Sequence, residues 1–344
     1  MIFNSIINIA KTKRMEIVKN NKINKLEKLL ERLDVDISLA EDEERETKYK
    51  QEVNAIIDSI KPKYLYKFKS CSKHAFDNLV NDELYLNIVS QFNDPTESMA
   101  YVDPELLLNL AAEINILDQS VNEDNNFDKY HMLQKLDLMN DALEYICYLR
   151  DRLKIACLSE VFDSTLMWSH YADCHKGFAI RYRIDDFKII ECSKCTKREI
   201  CWRPDNMLYP VIYKNKRFNA TLIALSKAII LRDGMLKEIG WTEEELPIPI
   251  LSVLQKEIAW KYEKEWRIIC KNFNNETIKI KPDALYLGED ISCENAIKLS
   301  RIAKKKGIPL YKMSIDYYSP EFNLDYEDWS DYTVKEIKDL YSGE

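Results

Sequence analysis

Glu263 and Glu265 stand two residues apart in the stretch WKYEKEWRII (Trp260 to Ile269). Alternate residues of a strand share a face, so this spacing aims both carboxylates at one side. A second stretch, CLSEVFDSTLMWSHYADCHKGFAIRY (Cys157 to Tyr182), sets Trp168, His170 and Tyr171 close together. They offer a stacking face, hydrogen-bonding tips and, in His170, an imidazole suited to binding a hydroxyl or to acid–base work. A third begins with YLYKF (Tyr64 to Phe68), which carries Tyr66 and Lys67, and resumes as LYLNIVSQFNDPTES (Leu84 to Ser98). Lys67 can meet a phosphate as a point charge. Asn93, Asp94 and Glu97 can form a polar rim, although an Asx-turn before Pro95 accounts for Asn93 and Asp94 equally well. Each stretch mixes an apolar, strand-like run with aromatics and charge. Buried polar groups must be paired, so the mixture points to a site or to a polar network.

Cys192, Cys195 and Cys201 form a separate cluster. The first two have zinc-knuckle spacing, and Cys174 or His175 is a conceivable fourth ligand. Free thiols in a surface loop are the plainer reading of the same residues. No H-E-x-x-H, G-x-S-x-G or EF-hand pattern is present, so nothing in the sequence supports a metalloprotease, a hydrolase elbow or a calcium loop.

The elements that must position these residues follow from composition and periodicity. The chain has 344 residues, 46% hydrophobic and 31% charged, which suits one large globular domain with an appendage. Only six glycines occur, and neither GxGxxG nor GxxxxGK[ST] is present, against a Rossmann or P-loop phosphate cradle. The net charge of −8 argues against a general nucleic-acid surface. No apolar run reaches the roughly 18 residues of a membrane span. The start is a poor signal peptide, and nine cysteines, an odd number, fit free thiols in a reducing cytoplasm.

Residues 1–61 read as an N-terminal helical extension with a narrow apolar stripe (Leu26, Leu29, Leu30, then Val53, Ile56, Ile57). Such a stripe packs on the body or on a partner helix, which leaves homo-oligomers open. Residues 62–344 read as an α+β domain with a helical insert at about 104–153. Strands are expected at Tyr64–Phe68, Leu84–Val89, Ile155–Ser159, Gly177–Tyr182, Pro210–Tyr213, Ala284–Leu287 and Pro309–Ser314. A hairpin is expected from Trp266–Cys270 and Thr277–Lys281 around Asn274-Asn275. Helices are expected at His74–Asn81 (N-cap Ser72), Ser164–Tyr171, Ala220–Glu238, roughly Pro249–Ala259 and Glu294–Lys306 (closed by Gly307). The tail after Tyr318 reads as a surface strap. Strands and helices without regular βαβ alternation suggest α+β.

The phrases LYKF, FNDPTES, CLSE, MWSHYADCHKGFAIRY, VIYKNKR and YEKEWRI, in this order, resemble the bacterial domain of unknown function 2971, over roughly residues 62–315. A weaker resemblance is to the ADP-ribosyltransferase superfamily, whose three motifs carry Arg or His, then Ser or Tyr, then Glu. Tyr66-Lys67 would be the first motif, with Lys67 in place of Arg or His. Trp168 to Tyr171 would lie near the second, on a helix here, and Glu263-Lys264-Glu265 would be the third. This resemblance implies a split mixed or antiparallel sheet with flanking helices. It also implies NAD as substrate, with ADP-ribose passed to an unknown acceptor or to water. Glu265, with Glu263, His170 and Tyr171, would be catalytic. Tyr66, Lys67, Trp168 and Asn93 would hold the dinucleotide. A toxin or phage-defence effector is a natural setting for such an activity.

Two other classes remain open. One is a non-catalytic nucleotide- or partner-binding module built from the same residues. The last is a metal-dependent nuclease using Asp94, Glu97 and the C-terminal acids, which lack a recognisable two-metal pattern.

Overall fold

A computed structural model of the protein describes residues 21–32, 43–94, 96–113, 137–144, 153–189, 208–225, 250–270, 276–318, 322 and 324–343. Thirteen strands lie among these residues. In chain order they are β1 (Tyr64–Lys69), β2 (Glu83–Tyr85), β3 (Asn87–Ile88), β4 (Lys154–Ser159), β5 (Phe178–Arg183), β6 (Leu208–Pro210), β7 (Ile212–Lys214), β8 (Gln255–Glu257), β9 (Glu265–Cys270), β10 (Thr277–Lys279), β11 (Ala284–Leu287), β12 (Leu310–Ile315) and β13 (Leu324–Asp328). The main sheet runs β13-β12-β11-β5-β1-β4-β9-β6, with β3 also paired to β4. Only β11 and β12 are parallel within it, so the sheet is mixed and the fold is α+β.

The sheet is split in its middle. β1 pairs along its whole length with β5, from Tyr64↔Arg183 to Lys69↔Phe178. β4 pairs along its whole length with β9. Between β1 and β4 the register holds one pair, Tyr66↔Ser159. The start of β4 is paired instead by β3, through Asn87↔Ile155 and Ile88↔Lys154. β4 thus changes partner partway along its edge, and a gap opens beside Ala156 to Leu158. Lys67 crosses it: its Nζ donates to the Cys157 carbonyl at 2.8 Å, satisfying a group the splayed strand leaves without a ladder partner.

One face of the sheet holds the main core, with Leu65, Leu158, Trp266 and Ile268 at its centre. Leu26, Leu29 and Leu30 of the helix over 21–32 join it, as do Val53, Ile56 and Ile57 of the helix Glu43–Ile60. The apolar stripe of the N-terminal extension is therefore spent on the body of its own chain. Glu27 adds polar ties, to Gln255 at 3.0 Å and to Lys214 at 2.6 Å.

Local signals place most elements where the sequence puts them. Ser72 caps Lys73–Val80 by accepting from the Ala75 N–H, Ser164 caps Thr165–Tyr171, and Gly307 closes Cys293–Lys306 at φ 67°. Three expectations are corrected. The helix Ile250–Leu254 stops early, because Gln255–Glu257 pairs with β7 as a parallel strand, and a 3-10 turn, Ile258–Glu263, follows. β9 and β10 form no hairpin: β9 lies between β4 and β6, and β10 pairs with β2. The tail forms β13 and the helix Val334–Ser342, whose Ile337 is buried in the main core. Of the helical insert, Pro104–Glu113 and residues 137–144 are described and helical. Among the described residues no helix is long and apolar enough to cross a membrane.

Candidate functional site

A cavity of about 280 Å³ occupies the split between β1 and β4. Tyr66 and Lys67 of β1 line it, as do Cys157 and Ser159 of β4, and Asn93 and Glu97 of the segment after β3. His170 and Tyr171 come from the end of Thr165–Tyr171, and Lys256, Glu263 and Glu265 from β8 to β9. Seven of the eight residues that the sequence assigns to catalysis or dinucleotide binding therefore meet at one place.

Trp168 is the exception. It is fully buried, its Nε1 donates to the Phe162 carbonyl at 2.6 Å, and Phe68 packs edge-on against it at 5.2 Å. His170 lies about 160° round the helix from Trp168 and reaches the cavity from the other side, while Tyr171, about 60° away, reaches it from the helix end. Trp168 packs the floor and is not among the residues that line the cavity. His175 lies parallel to the Trp168 ring at 6.4 Å, with its Nε2 3.2 Å from the Ser169 hydroxyl.

The carboxylate pair is positioned differently from the strand reading. Glu263 ends the 3-10 turn, Lys264 is left-handed at φ 43°, and Glu265 opens β9. The left-handed residue turns the chain between them, and both side chains still converge, on Lys256. The Lys256 Nζ lies 2.6 Å from Glu263, 3.0 Å from Glu265 and 3.3 Å from Glu97. Behind it Arg267, with 0% exposure, grips Glu97 at 2.6 Å and Glu265 at 2.8 and 3.1 Å. It also donates to the Ser98 hydroxyl and to the Val253 carbonyl. The Tyr171 hydroxyl donates to Glu263 at 2.5 Å. The Ser159 hydroxyl holds the Glu263 carbonyl at 2.6 Å, which ties this turn to the end of β4.

Three carboxylates face two cations in this buried network, which leaves one negative charge in excess. It falls on Glu263: burial and the neighbouring Glu265 push its carboxyl up, against the pull of Lys256 and Tyr171. Burial alone would raise Glu265 too, but Arg267 and Lys256 outweigh it and hold this carboxyl well below the usual range. Burial would lower Lys256, yet Glu265 and Glu97 keep it firmly protonated. Burial and Glu263 push the Tyr171 phenol up, and burial and Glu265 push the Cys157 thiol up, so both stay protonated donors. The site thus contains a permanent anion, Glu265, beside a carboxyl able to exchange a proton, Glu263.

Lys256 and Arg267 are the residues that sequence reasoning missed as site members. Lys256 lies in a segment that reads as helix, roughly Pro249–Ala259, where lysines are ordinarily solvated. The available signal was the carboxylate pair itself, since two buried carboxylates require a buried cation. Cys192, Cys195 and Cys201 lie outside the described residues, and among the described residues no group of three or more His, Cys, Asp or Glu is arranged to hold a metal. Asp94 is occupied locally, its Oδ1 accepting from the Thr96 amide and hydroxyl, and Glu97 is bound to Arg267.

Fold and site define an α+β protein with an acidic, lysine-centred cavity in a split mixed sheet. Residues 167–268, from the cavity helix through β9, match the family described as protein of unknown function (DUF2971), and over this region the chain is similar to that family. No curated protein and no solved structure matches the chain.

Proposed function

We propose that the cavity receives the nicotinamide–ribose half of NAD, and that the protein cleaves the bond between them and passes ADP-ribose to water or to an acceptor hydroxyl. The observation that carries this reading is the meeting of Tyr66, Lys67, His170, Tyr171, Glu263 and Glu265 in the split of the sheet. A cavity of about 280 Å³ suits a heterocycle with its sugar rather than a whole dinucleotide.

The chemistry needs negative charge near a ribose that becomes oxocarbenium-like as the glycosidic bond breaks. Glu265 supplies it, because its charge is fixed by Arg267. As the ribose C1–nitrogen bond breaks, its electron pair stays with nicotinamide, which leaves neutral. Oxygen of water or of the acceptor bonds to C1 and gives its proton to Glu263, whose raised affinity for protons suits a base. His170, exposed at the rim with its ring 6.3 Å from that of Tyr262, stands where the heterocycle enters. Lys67 is the cation available to a phosphate on the β1 side.

A second reading is a nucleotide-binding module without turnover. It is favoured by the fact that each carboxylate already has its partners: Tyr171 and Lys256 for Glu263, Arg267 and Lys256 for Glu265. Nicotinamide release from NAD by the purified chain, measured beside Glu263→Gln, separates the two. Release by the wild type and its loss in the variant supports the enzyme. Saturable NAD binding with no release, with or without cell extract as acceptor source, supports the module.

A further inference from the structure

A second cavity of about 290 Å³ adjoins the first. The two share Glu97 and Lys256, whose 3.3 Å ion pair is the partition between them. Its wall includes Phe218, Met99 and Ser252, and its rim carries Lys214-Asn215-Lys216-Arg217, the run that leaves β7. In a chain of net charge −8, three cations within four residues at a cavity mouth are a local reversal of sign.

The charges there are not equally available. Lys214 is bound to Glu27 at 2.6 Å, and Lys256 already holds three carboxylates. Asp94 is engaged in its own turn, and Glu257 stands exposed on the rim. Lys216 and Arg217 are exposed, and among the described residues neither makes an ion pair. The short run that carries them is fixed at both ends. Lys214 pairs with Glu257 in the β7–β8 ladder. At the other end Asn219 bridges to Tyr101, whose N–H donates to the Phe218 carbonyl at 2.9 Å. The backbone that carries the two cations is thus held at a cavity mouth before any ligand arrives, which removes part of the ordering cost of binding. An arginine fork beside a lysine point charge is a pairing that grips phosphate oxygens.

We infer that the second cavity is a subsite for the phosphate group of a small molecule, held by Lys216 and Arg217 across the Glu97–Lys256 partition from the first cavity. Its place beside the proposed ribose site gives it a role in the reaction above, and that role rests on the NAD reading. The binding itself does not. Titration calorimetry of the full chain with inorganic pyrophosphate, at constant ionic strength, is the test. Saturable binding is expected, weakened at least tenfold by Lys216→Gln with Arg217→Gln and unchanged by Lys305→Gln, an exposed lysine on the helix Cys293–Lys306. Both changes lie on exposed side chains, so the double variant is expected to keep the wild-type circular dichroism. Absence of saturable heat, or equal binding by the double variant, overturns the inference. ADP-ribose then identifies the source of the phosphate: competition with pyrophosphate points to the dinucleotide's own diphosphate, and simultaneous binding to a second molecule. Pyrophosphate binding without nicotinamide release would defeat the catalytic reading and leave the subsite standing.

Discussion

Tyr66 on β1 and Ser159 on β4 face each other as the one register pair that joins the two halves of the main sheet. Beyond that pair the strands part, and the cavity fills the gap. Ser159 also holds the main chain of Glu263 through its hydroxyl. The residue that closes the split thereby positions one of the two carboxylates facing it.

The two carboxylates differ in what their loss does to the fold. Glu265→Gln removes the anion that matches a fully buried guanidinium, and losing one partner of such a pair costs about 3 kcal/mol or more. Glu263→Gln removes the excess charge and leaves Lys256 with Glu265 and Glu97, so it is expected to cost less than Glu265→Gln. Urea unfolding midpoints of the two variants check the contrast. If the proposed NAD cleavage holds, nicotinamide release falls by about 10²-fold or more in both.

Acid acts on the site in two directions. The lowered carboxyl of Glu265 contributes stability that is complete above its unfolded value of 4.5 and is lost as pH falls below it. The raised carboxyl of Glu263 does the reverse: the folded state binds the extra proton just above 4.5, so stability declines as pH rises through that window. On the NAD reading, the rate of nicotinamide release is expected to rise with pH along a limb displaced upward from the ordinary carboxylate value. A limb at the ordinary position would remove Glu263 from the role of base.

Lys69 titrates elsewhere. Burial and the neighbouring Lys67 lower its amine to about 7 from an ordinary 10.5. Between those values the unfolded chain binds more protons, so folding stability rises with pH across this window. Lys69→Met is expected to flatten that rise, as followed by thermal denaturation at a series of pH values.

Gly288 packs against a left-handed run. Asp173, Cys174 and His175 have φ of 51°, 50° and 66°, and a Cβ on Gly288 would stand 2.0 Å from the His175 carbonyl oxygen. On Gly177 it would stand 2.2 Å from that of Lys69. Backbone cannot give way as a side-chain tip does, so Gly288→Ala and Gly177→Ala are each expected to cost about 3 kcal/mol or more in chemical denaturation. Wild-type stability in either would mean that this corner is free to shift.

Trp168→Phe tests whether Trp168 packs the floor of the cavity or takes part in binding. The indole N–H to the Phe162 carbonyl is lost, and a cost of about 1–3 kcal/mol in stability is expected. NAD affinity is expected to change less than twofold. A tenfold loss of affinity at unchanged stability would restore Trp168 to the binding surface.

Much of this molecule is local and therefore legible. The caps Ser72 and Ser164, the closing Gly307 and the apolar periods of the strands place most elements within a residue or two, because each signal acts on its nearest neighbours in the chain. The clustering of Tyr66, His170, Tyr171 and Glu265 was legible as well, since aromatics and charges set within apolar strands need shared partners. What sequence could not supply was the choice among partners. Lys256 looks like a solvated helix lysine until β7 captures Gln255–Glu257 as a strand and turns it toward Glu97, Glu263 and Glu265. Trp168 and Tyr171 look equivalent until the helix sets one against the sheet and the other over the cavity. The difference in proton affinity between Glu263 and Glu265 was decided by which of them Arg267 reaches. Charges on distant segments set a proton affinity through space, and only the folded chain fixes those distances.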